Sequence, residues 1–107
     1  MCSYNAVNGV PSCANEWLLT YKLRTTWGFD GYVTSDCGAV GGIEGAHHYT
    51  NTTEDTIYDA WSAGMDIDCG GYMSSGALES VVGKGKVTEE LMDSRLKNLF
   101  KVQMRTG

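Results

Sequence analysis

One carboxylate stands out in the segment from Gly28 to Gly38, which reads Gly-Phe-Asp-Gly-Tyr-Val-Thr-Ser-Asp-Cys-Gly. The run Tyr32, Val33, Thr34 is aromatic and β-branched, and Gly31 and Gly38 bound it. Asp36 therefore falls at the carboxyl end of a short strand, where a loop begins. Parallel α/β folds keep their chemistry at such strand ends. By residue type alone, an aspartate here would ordinarily cap the following helix or turn. Its position makes Asp36 the leading catalytic candidate.

Other chemistry-bearing residues are read more plainly. Asp66 and Asp68 alternate along an expected strand and so point the same way, which could suit a carboxylate pair or a cation. Hydrogen-bonded structural roles are the preferred reading of both, and Asp30 is assigned to a turn. His47 and His48 lie in the polar loop after Asp36 and are read as solvated rather than catalytic. Cys2, Cys13, Cys37 and Cys69 lack the close paired spacing of zinc ligands, which leaves disulfides or buried thiols and no metal site.

The elements that must position Asp36 alternate in type. Three β-leaning segments, Met1 to Tyr4, Tyr32 to Ser35 and Met65 to Ile67, are interleaved with helical patterns, the signature of consecutive βα units with parallel strands. The first helix is expected from an Asn15 cap, with Leu19, Leu23 and Trp27 at spacing four before Gly28. Gly38 to Tyr49 reads as a long loop. The second helix starts near Thr52 or Thr53, carries Glu54 and Asp55 in its first turn, and turns Ile57, Ala60, Trp61 and Gly64 inward. A shorter helix with Ala77, Leu78, Val81 and Val82 stops at Gly83 and Gly85. A last one begins behind Thr88, with Leu91, Met92, Leu96, Leu99 and Phe100 on its apolar face. Trp17, Trp27 and Trp61 are read as packing residues.

Bulk properties narrow the class. The 107 residues are 42% hydrophobic with a net charge of -5, and the eight Lys and Arg are dispersed, which argues against a nucleic-acid partner. No apolar run approaches the roughly 20 residues needed to cross a bilayer, and no signal peptide is visible. Asn51-Thr52-Thr53 is an N-glycosylation acceptor sequence, and with the even cysteine count it points to a secreted origin. Three parallel strands alone would leave two unpaired edges and uncovered apolar faces, so the chain reads as part of a larger domain.

The ordered motifs Met1-Cys2-Ser3-Tyr4-Asn5, Asn8-Gly9-Val10-Pro11, Trp27 through Asp36, Ala63 through Gly70 and Val102-Gln103-Met104-Arg105 resemble glycoside hydrolase family three over essentially the whole chain. The β-xylosidase and α-arabinofuranosidase branch is the nearest in appearance. The resemblance implies that residues 1–107 are the last three βα units of a (β/α)8 TIM-type barrel, the C-terminal part of the family's N-terminal catalytic domain. It assigns the nucleophile to Asp36 and the sugar subsite to Met1 and Tyr4. Many β-glucosidases of the family carry tryptophan where this chain has Cys37, and the smaller residue leans the substrate toward pentosides. In such a barrel Cys37 and Cys69 would be neighbours able to bond, with Cys2 and Cys13 as a possible second pair, although sequence alone does not settle connectivity.

The implied chemistry is that of retaining glycosidases acting on oligosaccharides or aryl glycosides. One carboxylate attacks the anomeric carbon and a second, roughly 5 Å away, protonates the leaving oxygen. The resemblance places that second group, a glutamate, in a later domain, and the sugar-clamping residues mostly on earlier barrel strands, with no cofactor. The isolated chain is then expected to have negligible activity and poor solubility. Competing expectations are a β-glucosidase of the same family, a non-catalytic carbohydrate-binding relative, and a small partner-binding module acting through an exposed apolar face.

Overall fold

The computed structural model describes residues 1–107. Its frame is a narrow parallel ladder of three segments in chain order, with Cys2 bridged to Ser35 and Thr34 bridged to Ile67. The segment ending at Asp36 is the central one. Cys2 N donates to Thr34 O (2.9 Å) and Asp36 N to Cys2 O (2.8 Å) on one side, and Ser35 N donates to Ile67 O (2.8 Å) on the other. At the three expected strands the chain forms only isolated bridges, one per pair. Val33 and Ser35 are buried, and no segment of the chain pairs with the two outer edges.

Between the first two segments lies an antiparallel hairpin that the sequence reading did not assign. It joins β1 (Ala6–Val7) to β2 (Val10–Pro11), with Val7 opposite Val10. Its turn residues Asn8 (φ 52°) and Gly9 (φ 79°) are both left-handed, the geometry that an Asn-Gly pair adopts in two-residue hairpins. A buried 3₁₀ turn, Ser12–Ala14, follows.

The helix that comes next begins as expected, since Asn15 Oδ1 accepts from Leu18 N (3.1 Å). From Trp17 to Thr26, however, it winds as a π-helix. The spacing-four stripe assumed α-helical winding. With the wider turn only Leu19 is buried (3% exposed), while Trp27 faces out at 66% and Trp17 at 55%. The packing role holds for Trp61, which is 5% exposed, and not for the other two tryptophans within this chain.

A second correction concerns Gly38 to Tyr49, where a helix, α1 (Ala39–Gly45), replaces most of the expected loop. Three glycines hid it, since each weakens a helix by roughly 1 kcal/mol relative to alanine. Tertiary burial restores it, with Val40 and Ile43 fully enclosed. Gly41 also leaves room for Tyr72, whose ring lies 3.2 Å from where a Cβ would stand.

The second and fourth helices match their expected starts, and the third its expected stop. α2 (Thr53–Ala63), α3 (Ser75–Gly83) and α4 (Glu89–Thr106) are capped by Thr52, Ser74 and Thr88, each accepting from the third residue on. Ile57 and Ala60 of α2 are fully buried, and together with Ile43, Met65, Val33, Val81 and Val87 they form the core. After α2, Gly64 takes φ 121°, and a Cβ there would lie 2.8 Å from Thr20 Oγ1. α4 has the expected apolar stripe, yet none of its residues is fully buried, and Leu96, Phe100 and Met104 are exposed.

Asp66 ties these layers together. Its side chain is fully buried, and it accepts from Arg24 Nη2 of the π-helix (2.6 Å), Val33 N of the central segment (2.7 Å) and Asn98 Nδ2 of α4 (2.9 Å). Arg95 of α4 approaches to 3.4 Å. Arg24 spans further, donating from Nη1 to Gly31 O (2.9 Å). Removing one partner of such a group leaves buried charge uncompensated, so Asp66→Ala is expected to lose about 3–5 kcal/mol of stability, to be measured by urea unfolding.

Asp30 does more than serve a turn. It receives Lys101 and Arg105 (2.7 Å) from the end of α4. Hydrogen bonds from Lys101 and then Arg105, reinforced by their charges, hold the Asp30 carboxyl at about 2, below its ordinary 3.8. A depressed carboxyl contributes stability that is full above its unfolded pKa and lost as pH falls through the folded one. Asp30→Asn should therefore lower the melting temperature at pH 6, with the difference vanishing as the pH approaches 2. The pair is exposed, so added salt should shrink the effect.

Candidate active site

Asp36 is placed by main-chain constraint. Its N–H is spent on Cys2 O, its carbonyl accepts from Ala39 N (2.9 Å), and Oδ1 accepts from Cys37 N (2.8 Å). The carboxylate thus leaves the end of the central segment half-buried, with one oxygen braced and the other free of protein donors. Gly38, at φ 85°, makes the turn into α1 and sends its N–H to Cys69 O (2.8 Å). That bond joins the ends of the second and third segments directly behind Asp36.

Two disulfides brace the same place. Cys37 is bonded to Cys69, across those two segment ends, and Cys2 to Cys13, from the first segment to the 3₁₀ turn. The pairing is the one a barrel arrangement implies. In the chain-entropy account a closed loop of this size removes roughly 3–4 kcal/mol of freedom from the unfolded chain. Cys69→Ala is accordingly expected to lower stability by about 3 kcal/mol, more than any exposed single substitution, as read from denaturant midpoints.

Tyr4 meets Asp36 from the end of the first segment. Its hydroxyl donates to Cys37 O (2.6 Å). Partial removal from water and the nearby charge of Asp36 raise the phenol above its ordinary value, so it stays a protonated donor. Met1, also expected at the site, begins the same segment but is 75% exposed and joins no hydrogen bond of this group.

The two histidines part company. His47 Nε2 lies 2.6 Å from Tyr4 O, a contact that the reading of His47 as merely solvated missed. His48 is exposed and takes the left-handed conformation (φ 52°) that closes α1. The remaining acids near the segment ends are engaged elsewhere. Asp68 accepts from Met73 N (3.0 Å) and at longer range from Ser35 Oγ, and Glu44 accepts from Tyr72 Oη (2.5 Å). No three acidic, histidine or cysteine side chains converge as a metal site.

The arrangement offers one accessible carboxylate with a phenol beside it, groups able to attack an electrophile or exchange a proton. Comparison with known proteins gives the lineage. Residues 1–102 match the family described as glycosyl hydrolase family 3 N terminal domain. The chain belongs to that family.

Among relatives, it is 54% identical over 107 residues to probable beta-D-xylosidase 6 of Arabidopsis thaliana. It is 41% identical over 110 residues to an exo-1,4-beta-xylosidase of Emericella nidulans. All of this chain is covered in both cases, but the match spans only 13% and 14% of the relatives' own lengths. Among solved structures, a family 3 exo-beta-xylosidase in complex with a xylobiose aziridine activity-based probe superposes with a TM-score of 0.80 at 39% identity, over 89% of this chain and 13% of that one. A beta-glucosidase involved in saponin metabolism from intestinal bacteria gives 0.88 at 27% identity, over 95% of this chain and 13% of that one.

Proposed function

We propose that this family 3 chain carries the nucleophile of a retaining, exo-acting β-glycosidase that removes terminal β-xylosyl or related residues. The observation that carries the reading is the placement of Asp36 at the carboxyl end of the central parallel segment, half-buried and braced on one oxygen only. Its carboxylate forms a bond to the anomeric carbon while the glycosidic bond breaks. Water then hydrolyses the ester to release the sugar. Protonation of the leaving oxygen comes from a glutamate of a further domain, and no metal or organic cofactor takes part.

The three parallel segments and their helices are then the last three βα units of a (β/α)8 barrel, residues 1–107 forming the C-terminal part of its catalytic domain. The unpartnered edges and the uncovered face of α4 support that reading, since parallel sheets are normally covered on both sides. The xylosyl preference draws support from the xylosidases among the relatives. The β-glucosidase reading draws support from the solved β-glucosidases of like fold. Without the second carboxyl group the isolated chain is inactive, because acid assistance is worth roughly 100-fold to 10,000-fold.

The test uses the full-length enzyme. A 2-deoxy-2-fluoro xyloside should label Asp36, as read by peptide mass mapping, and Asp36→Ala should lower kcat at least about 1000-fold, as loss of a nucleophile does elsewhere. Label on another residue would overturn the assignment, and turnover of glucosides but not xylosides would move the substrate to the second reading. We also place the protein in the secretory pathway, on the two disulfides and the exposed Asn51 of the Asn51-Thr52-Thr53 sequence. Endoglycosidase treatment of the native protein should then remove mass from the peptide bearing Asn51.

A further inference from the structure

The loop after Asp36 returns to the site through one side chain. α1 ends in a widened turn in which Ala46 N (3.0 Å) and His47 N (2.9 Å) share Gly42 O. The left-handed His48 then lets Tyr49 N reach back to Ile43 O (3.0 Å). His47 is therefore fixed at its main chain, and its ring crosses 43 residues of sequence to meet Tyr4 O at 2.6 Å. A carbonyl oxygen only accepts, so Nε2 is the donor, whether the ring is the neutral Nε2–H tautomer or the imidazolium.

Tyr4 is thereby held at two points. His47 holds its main chain, and Cys37 O, one residue beyond Asp36, holds its hydroxyl (2.6 Å). Tyr4 is largely exposed (58%), so packing does little to set its direction and these two bonds do most of it. We propose that His47 is a positioning residue of the site, fixing the Tyr4 phenol beside the Asp36 carboxylate by donating to the Tyr4 carbonyl. The inference rests on Asp36 being the attacking group. His47 touches neither sugar nor carboxylate in this role and acts through Tyr4.

The experiment compares His47→Ala, His47→Gln, Tyr4→Phe and the His47→Ala/Tyr4→Phe double variant in the full-length enzyme. For each it reads the rate of trapping by a 2-deoxy-2-fluoro xyloside, kcat and KM on an aryl xyloside, and the melting temperature. One hydrogen bond of ordinary strength corresponds to roughly tenfold in rate. His47→Ala should slow trapping about tenfold, and His47→Gln, which keeps an N–H donor on a side chain of similar reach, should recover most of that. The double variant should be no slower than the slower single one, because two residues acting through one contact are not additive. Additive losses, or a His47→Gln variant as slow as His47→Ala at unchanged melting temperature, would overturn the inference while leaving labelled Asp36 in place. Wild-type enzyme that turns over xylosides yet carries its label on another residue would remove the nucleophile assignment and the inference with it.

Discussion

The buried carboxylate of Asp66 is the constraint on which the rest of the chain depends. Burying an ionised carboxylate is costly unless its lone pairs are filled. Here the fillers come from three separate elements: a guanidinium on the π-helix, a main-chain N–H on the central segment and an amide on α4. Satisfying one charge thus fixes the distance between the helical layer and the short ladder. That matters because the ladder has only one bridge per strand pair, too few bonds to set its own register.

The site inherits its rigidity from that arrangement. Asp36 leaves the same central segment three residues after Val33, whose N–H is committed to Asp66. Behind it, the Gly38 to Cys69 bond and the Cys37 to Cys69 disulfide hold the segment ends together. In front, the chain supplies only a phenol and leaves one carboxylate oxygen without protein donors. Such asymmetry suits a nucleophile, which needs a fixed direction and an unblocked lone pair. Under the proposed reading this chain contributes the attacking carboxylate, and proton donation falls to another part of the enzyme.

What was legible in the sequence follows from what each signal measures. Cap chemistry is local, so Asn15, Thr52 and Thr88 marked their helix starts correctly. Strand order was legible because β-leaning segments alternated with helices. The winding of Trp17–Thr26 was not, since hydrophobic spacing registers a helix but does not distinguish i→i−4 from i→i−5 bonding when the decisive contacts are distant. Arg24 reaching Asp66 and the helix lying against Gly64 are contacts of that distant kind. α1 was hidden because its stability is tertiary, resting on Val40 and Ile43 against three glycines. The hairpin at Asn8-Gly9 did carry a readable turn signal, whereas the tie from His47 to Tyr4 had none, being a contact between a side chain and a main-chain atom 43 residues away.

The Cys37 to Cys69 bond encloses α1, the His47 loop and α2 in one covalent ring. A protease that cuts anywhere inside that ring, for instance at the exposed His48, leaves both pieces attached. Under oxidising conditions the nicked protein would gain only the water consumed in the cut and would migrate as an intact chain, and a reductant would separate the pieces.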